Sequence, residues 1–472
     1  MMSVPVLPRV SQPLIDQPGW PLAVLFLGFP LWYLLGLSVI MFYLVAIPMA
    51  WFLWRRRKEI VIPSGFNIWV IFLVVVVLSG FMLGVNAPFA VEGFGLPGSL
   101  LTYGVRLVWY VTATIVFLYI VNIPEKDMTF RRVSRWLAFM FVVTTIGGLI
   151  GLLFPDIDML SVLGQLLPGG LASNAFVGEF VRIDVADIQN ILGFEEVRPK
   201  APFPYANSWG ANLSMFLPFF VYSWIIVGRR WERILAPFVL VGAATGIVFS
   251  LNRTLWGALA AGAVYGIVQL VRLRPRLLPL MLIGAAVVVL AFFASGLNSI
   301  VTARLDNPHS DERRGELAGK SWQAVAEASP VLGFGNIRDV QGSFASIAGG
   351  ETPSCPGCSV PPFGTQGQFW LVLYAQGLAG VLFFCGFILY RMARHLKTRD
   401  GPSIAMFAAM IFFIIELPFY DLLGPPLFTG MLALGLLWRR RAQEHGYPDP
   451  AEVSELDRSS VSAAVPGGLT HG

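Results

Sequence analysis

Arg253 stands inside the run FSLNRTLWGALAAG, with apolar sequence on both sides of it. Its guanidinium therefore sits in hydrocarbon or marks a turn between two membrane spans, and a charge at the bilayer centre is costly unless something compensates. At a turn of Asn252, Arg253 and Thr254 the side chain presents a planar, permanently charged fork of donors. A turn arginine that merely reaches for water satisfies the same pattern. More cations follow in VTARLDNPHSDERRGELAGKSWQAVAEASPVLGFGN, namely Arg304, Arg313, Arg314, Lys320 and Arg338. Arginine forks match phosphate oxygens through paired charge-assisted hydrogen bonds, and a diphosphate takes several such donors. Alternatively, Asp306, Asp311, Glu312 and Glu316 neutralise them as solvated ion pairs. Two carboxylates, Glu416 and Asp421 in IIELPFYDLLG, are candidates for proton transfer or for pairing with an arginine. Asp156 and Asp158 form a D-x-D of the kind that holds a divalent ion, although that spacing is common by chance. Cys355 and Cys358 in CPGC suit a small disulfide loop in an oxidising compartment. Zinc would need two further ligands, and the surrounding sequence supplies none. Cys385 reads as an apolar span residue, and GFG at 333–335 completes no nucleotide-binding glycine motif.

The elements that must position these groups are apolar. The chain has 472 residues, 56% hydrophobic and 13% charged, with mean hydropathy +0.69, the profile of a multi-span membrane protein. Stretches long enough to span run at roughly 21–36, 37–54, 67–84, 100–122, 136–154, 206–228, 234–250, 255–271, 277–297, 367–390, 403–420 and 422–438, about twelve in all. If the first two form a tight hairpin, the basic clusters at 55–58, 126–135, 229–233, 272–276, 391–399 and 439–441 share one side, the cytoplasm by the positive-inside rule. The net charge of +5 and pI near 9.2 follow from those clusters, which argues against nucleic-acid binding. Basic residues directly after the first apolar stretches argue against a cleaved signal. This layout predicts a cytoplasmic segment at 1–20, a membrane domain at 21–441, and a disordered cytoplasmic tail at 442–472 rich in Ser, Gly, Pro and Glu. Two long connections, about 155–205 and 298–366, fall on the outer side, and Arg106 lies near the outer end of the fourth span. Within the second connection, Glu316 to Ser329 reads as a short amphipathic helix stopped by Pro330 and the glycines Gly333 and Gly335. No internal repeat is evident, which weakens an inverted-repeat transporter reading.

The segments Phe203 to Asn207, Ser250 to Gly257, Arg314 to Gly335 and Gln376 to Gly380 together resemble the O-antigen ligase and O-antigen polymerase superfamily. Ser250-Leu-Asn-Arg253-Thr-Leu-Trp256-Gly257 is similar to that family's S-x-S-R-x-x-W/L-G element. Arg314-Gly-Glu-Leu317, running on to Ser329-Pro330-Val-Leu-Gly333-Phe-Gly335, is similar to its R-x-x-L, helix, P-L-x-G-x-G pattern. Phe203-Pro-Tyr-Ala-Asn207 resembles f-x-x-p-N before a span, and Gln376-Gly377-Leu-Ala-Gly380 resembles the G-L/I-x-G inside the span after the large loop. The likeness covers most of residues 200–390, in order.

The resemblance implies an all-α, GT-C-like integral membrane glycosyltransferase of the cytoplasmic membrane, with both termini cytoplasmic and short helices in its large outer loop. It implies a polyprenyl diphosphate-linked glycan as donor, a glycan, lipid or protein hydroxyl as acceptor, and no metal or other cofactor. Arg253 and Arg314 carry over as diphosphate ligands, Arg313 taking that role if the register shifts by one; beside the resemblance, Arg106 and Arg338 are further cations for the substrate, and Asn207 serves either structure or glycan contact. Preorganised cations there would stabilise the charge that collects on the departing diphosphate. The sequence departs from the family before the tenth span. Where the family has a His-Asn pair, this chain has Phe363-Gly-Thr-Gln366-Gly-Gln368-Phe-Trp370, and an amide takes no proton at useful pH. His309 is the one histidine expected outside, with His395, His445 and His471 inside. Gln366 is then expected to orient an acceptor hydroxyl, with Glu416 or Asp421 as base. The rival class is a transporter or flippase of an anionic lipid-linked glycan, in which the same arginines steer substrate and no bond breaks. A non-catalytic membrane scaffold is the third reading.

Overall fold

The computed structural model describes residues 18–92, 96–169, 175–190, 195–277, 297–305, 309–341, 361–397 and 400–444, with Pro279 and Phe293. The predicted span at 277–297, the Cys355 and Cys358 loop and the predicted tail beyond Glu444 fall almost wholly outside them.

The described chain is overwhelmingly helical. Its helices are α1 (Trp20–Leu27), α2 (Phe29–Leu35), α3 (Ile40–Arg55), α4 (Phe66–Ser79), α5 (Leu96–Asn122), α6 (Phe130–Leu153), α7 (Val162–Leu166) and α8 (Ala175–Val181). After the strands given below follow α9 (Ala206–Phe220), α10 (Arg230–Phe249), α11 (Arg253–Leu273), α12 (Leu297–Leu305), α13 (His309–Ala328), α14 (Gln368–Ala393), α15 (Gly401–Glu416) and α16 (Pro425–Glu444). Six are long and apolar enough to cross a membrane: α5, α6, α9 with its continuation to Ile226, α10, α11 and α14. Three apolar helices are shorter: α3, α4 with its continuation to Met82, and α15. Twelve crossings are not established by these helices. The predicted first span is broken at Gly28 into α1 and α2, each roughly 10–12 Å long at 1.5 Å per residue, far short of a ~30 Å hydrocarbon core. Pro30 near the start of α2 supplies no amide to carry α1 through.

Polar side chains start the helices where the sequence leaves apolar surroundings. Thr129 caps α6 by accepting from the Arg132 amide at 3.2 Å, and Asp400 caps α15 by accepting from Ser403 at 3.3 Å. In α9, Pro218 cannot donate to the Ser214 carbonyl, and the helix continues beyond it as a π-helix over Val221–Ile226.

The 155–205 connection contains two antiparallel hairpins. Strands β1 (Asp158–Leu160) and β2 (Arg182–Asp184) pair with Met159 opposite Ile183, and β3 (Ala186–Asn190) pairs with β4 (Glu195–Pro199) with Ile188 opposite Val197. Their short, polar sequences carry no strand signal strong enough to read unaided. Small residues on α6 let the second hairpin settle onto the bundle: a Cβ at Gly147 would stand 2.3 Å from the Ala201 carbonyl oxygen, and one at Gly151 2.3 Å from that of Val185. Lys200 then bridges the hairpins, 2.6 Å from Asp184 and 2.9 Å from Asp187. Trp209, fully buried, lies against Gly148 and Gly246 and donates to the Thr144 carbonyl at 2.9 Å, tying α9, α10 and α6 together.

The predicted amphipathic helix at 316–329 is longer in the structure, since α13 begins at His309 and takes in Arg313 and Arg314. Its end is as expected, and beyond it residues 330–335 enter a break in α14. Gly377 there has φ +65, outside helical geometry. Phe334 and Gly335 amides donate to the Tyr374 and Ala375 carbonyls at 2.9 and 2.8 Å, while Leu378 and Ala379 amides donate to Pro330 and Val331 at 2.8 and 3.2 Å. The backbone groups freed by the helix break are thus taken up by the loop. The two glycine-containing segments that resemble family elements meet at this junction.

The basic clusters gather at the other end of the bundle. Asn122 exchanges hydrogen bonds with Val61 at 2.6 and 3.1 Å, and Arg439 donates to the Ile123 and Met128 carbonyls at 3.1 and 2.7 Å. Arg135 pairs with Glu232 at 3.1 Å, and Arg440 with Asp400 at 3.3 Å.

Candidate functional site

The site is built around the turn between α10 and α11. Leu251, buried, adopts φ +53, which costs a residue with a side chain roughly 1–2 kcal/mol. Two buried arginines from distant segments hold that turn. Arg198 of β4 donates from Nε to the Ser250 carbonyl at 2.7 Å and from Nη2 to Asn207 Oδ1 at 3.0 Å. Arg304 of α12 donates from Nε to the Leu251 carbonyl at 3.1 Å. Asn252 caps α11, its Oδ1 accepting from the Leu255 amide at 3.3 Å, and Tyr420 Oη accepts from the same amide at 3.2 Å. Arg253, half-buried, is the first residue of α11, so its guanidinium adds to the positive end of the helix dipole. Arg314, also half-buried, is in electrostatic range of Arg198 and Tyr420. Burial lowers the Arg198 guanidinium from its ordinary value, with Asp187 acting the other way and Arg314 adding to the depression.

Tyr420 connects this cationic group to a second one. Its hydroxyl bonds Thr254, and its carbonyl accepts from the Gln368 amide at 2.6 Å. Gln368 Nε2 donates to Tyr110 Oη at 3.2 Å, and Tyr110 lies in the field of Arg106 and Asp421. Asp421 Oδ1 accepts from the Leu423 amide at 2.9 Å. Although Asp421 is accessible to solvent, protein crowds it on most sides, and that desolvation raises its carboxyl above the ordinary aspartate range while the Leu423 amide and Arg106 pull it back. Glu416 differs: it is fully buried, with Oε1 accepting from Ser214 Oγ at 2.9 Å.

Several orphaned polar atoms belong to residues of these two groups or next to them in sequence. Among the described residues, both amide atoms of buried Gln366, Oε1 of Gln368, Oε2 of Glu416, Nδ2 of Asn252 and Nη1 of Arg106 have no hydrogen-bond partner in the protein. Buried polar groups are nearly always satisfied, so such atoms mark places where a ligand or solvent completes the bonding.

The residues singled out from sequence divide between these groups. Arg253, Arg314 and Asn207 belong to the first, with Arg313 adjoining on α13, while Arg106 and Asp421 belong to the second, and buried Gln366 lies two residues before Gln368. Arg106 therefore stands with the Asp421 carboxylate, with Arg338 also in its electrostatic range. Glu416 lies beneath Tyr420, whose amide donates to its carbonyl at 2.9 Å. Arg338 is buried and braces the chain, donating to the Leu83 carbonyl at 2.7 Å and to Phe334 at 3.2 Å. Asp158 of the D-x-D pairs with Arg182 through Nε at 2.8 Å and through Nη2. No group of three or more His, Cys, Asp or Glu suited to a metal ion occurs among the described residues. Arg198, Tyr420, Tyr110 and Gln368 were not singled out from sequence as site residues. Two of them neighbour residues that were: Tyr420 precedes Asp421, and Gln368 is two residues beyond Gln366.

An apolar chamber of about 1080 Å³ lies between α9, α10, α11 and α15. It runs from Leu213 and Ile247, below the Arg253 turn, to Arg233 and Arg274 at the other end. Its volume is at or above the upper range of about 300–1,000 Å³ for ordinary ligand pockets, and hydrocarbon is the chemistry its walls accept. No known family model matches the chain, and no curated protein matches it either.

Proposed function

We propose that the protein is a multi-pass membrane glycosyltransferase that moves a glycan from a polyprenyl diphosphate carrier to an acceptor hydroxyl at the outer face of the cytoplasmic membrane. The basic end of the bundle faces the cytoplasm by the positive-inside rule, which leaves the Arg253 turn outside. The observation that carries the reading is the convergence of Arg198, Arg253, Arg304 and Arg314 on one turn, beside a second group containing an accessible carboxylate and an unsatisfied amide.

In this reading the diphosphate lies against Arg253 and Arg314 at the start of α11, with Arg198 and Arg304 fixing the turn that aims Arg253. The acceptor oxygen attacks the anomeric carbon, the carbon–oxygen bond to diphosphate breaks, and the leaving group departs with its charge matched by the arginines. Asp421 is the better base of the two carboxylates, because it is accessible to an acceptor and its raised carboxyl moves it toward the operating pH. Glu416 is closed in beneath Tyr420. Gln366 orients the acceptor hydroxyl, and the apolar chamber suits the carrier's hydrocarbon tail.

The test is whether a bond breaks. Purified protein in nanodiscs, given a donor labelled in both glycan and lipid, should separate the two labels when an acceptor is present. Movement of intact donor across the bilayer without separation would replace this reading by the transport one.

A further inference from the structure

A second cluster of cations lies at the opposite end of the bundle, where the proposed chemistry makes no use of it. A cavity of about 390 Å³ is lined by Val61, Ile62, Ser64, Arg391, Arg394, His395, Trp438, Arg441 and Ala442. Arg391 sits in the last turn of α14, more than twenty residues from Gln368, roughly 30 Å along the helix at 1.5 Å per residue. It is 1% exposed. Its Nη1 donates to the Ser64 carbonyl at 3.3 Å, while Nε and Nη2 have no hydrogen-bond partner among the described residues.

Those two nitrogens form one edge of the guanidinium, the edge that grips a pair of oxyanion oxygens. A buried arginine normally has a carboxylate or carbonyls on that edge. Here the ring of Phe117, 5.9 Å away, supplies at most a weak attraction. No carboxylate lines the cavity among the described residues, and two further arginines do. His395 adds no charge: burial pushes its imidazole down to about 4, despite the Arg391 carbonyl 2.7 Å from Nδ1, and Arg391 and Arg441 push it the same way. Three cations therefore face a pocket large enough for a phosphate with what it is attached to, and the most buried of them, Arg391, has an unsatisfied donor pair. By contrast, buried Arg439 at the same end is fully engaged, bonded to two carbonyls and paired with Glu125.

We infer that this cavity is a binding site for a phosphate-bearing anion, a phospholipid headgroup or a free phosphate, gripped by the open edge of Arg391 and closed by Arg394 and Arg441. Basic pockets between spans at the cytoplasmic surface characteristically take anionic headgroups. The inference stands apart from the proposed activity, since none of these residues touches the Arg253 site.

The full chain is purified into nanodiscs of phosphatidylcholine alone or of phosphatidylcholine with phosphatidylglycerol. Inorganic phosphate binding is followed by equilibrium dialysis in the first, and retained phosphatidylglycerol by native mass spectrometry in the second. The variants are Arg391→Met, which keeps the volume without the charge, and the double change Arg394→Ala with Arg441→Ala at the rim. An Arg253→Ala, Arg314→Ala pair controls for phosphate held at the other end. One of the probes should bind at one per chain, be lost in Arg391→Met, weaken about tenfold or more in the rim variant, and persist in the control. Binding of phosphate in phosphatidylcholine discs identifies a free-phosphate site, and selective retention of phosphatidylglycerol a headgroup site. Should Arg391→Met fail to fold, the rim variant decides. Equal binding of both probes by wild type and rim variant, or no binding of either by wild type, overturns the inference.

Discussion

Replacing Gly377 by alanine tests the junction that holds the site-bearing loop to the bundle. A Cβ at this position would stand 2.4 Å from the Val331 carbonyl oxygen and 2.7 Å from the Gly333 amide nitrogen, both backbone atoms that cannot rotate away. The residue also has φ +65, which costs a side-chain-bearing residue about 1–2 kcal/mol before any clash is counted. Relieving the clash means withdrawing residues 330–335 and giving up four backbone hydrogen bonds, each worth roughly 0.5–1.5 kcal/mol net. The loss of stability should be about 3 kcal/mol or more. Gly386→Ala is the control on the same helix, because the nearest atom to its Cβ is Ile68 Cγ2 at 3.9 Å, and a helical Gly to Ala change there should be neutral or stabilising by up to about 1 kcal/mol. Denaturation in detergent gives the energies, and hydrogen exchange at the Phe334, Gly335, Leu378 and Ala379 amides gives the location. Unchanged protection at those four amides in Gly377→Ala, or equal stability of the two variants, would mean that the Gly377 junction does not hold the loop.

Other residues give independent tests. Arg198→Lys keeps a charge but cannot span Ser250 and Asn207 together, so stability should fall by roughly 1.5–3 kcal/mol, the worth of one charge-assisted bond, with faster exchange at the Leu255 amide; Arg198→Lys matching wild type in both would remove its bracing role. For Lys200, burial alone would lower the ammonium, but Asp187 and Asp184 outweigh it and raise it above the ordinary lysine value. Its contribution is therefore complete below about pH 10.4, the unfolded value, and lost as pH rises through the native one. The melting difference between wild type and Lys200→Met should hold steady from pH 8 to about 10 and then narrow; narrowing from pH 8 would contradict the assignment. Asp421, raised by desolvation, should give turnover an acid limb above the usual aspartate value of about 4, and Asp421→Asn should remove that limb along with most activity.

The apolar helices were legible because hydropathy needs no partner to be read, and α5, α6, α10, α11 and α14 start and stop close to the expected spans. The turn at Arg253 was legible for the same reason, since a charge inside an apolar run demands water. Gly333 and Gly377 were visible as punctuation, but their hydrogen-bonded meeting was not, because it joins residues forty or more positions apart. Arg198 was hidden by its surroundings: in EEVRPK it reads as one charge among several in a solvated loop, and only the β3–β4 hairpin carries it onto the Ser250 carbonyl. Tyr420 looked like one more aromatic in a span, and its part depends on three segments converging. The extra N-terminal turns of α13 were missed because the apolar stripe begins at Leu317, while the preceding polar residues offer no periodicity to read.

The arginines at the α10–α11 turn are proposed to hold a diphosphate while a glycan leaves it. Purified protein in nanodiscs, supplied with a polyprenyl diphosphate glycan and an acceptor, is followed for release of free polyprenyl diphosphate in wild type, Arg253→Ala and Arg314→Ala, with folding checked by melting. That role requires release by wild type and its loss by about 100-fold or more in each variant, the scale of removing one transition-state charge contact. Release that survives in both variants, or its absence in wild type across a panel of donors and acceptors, would contradict it.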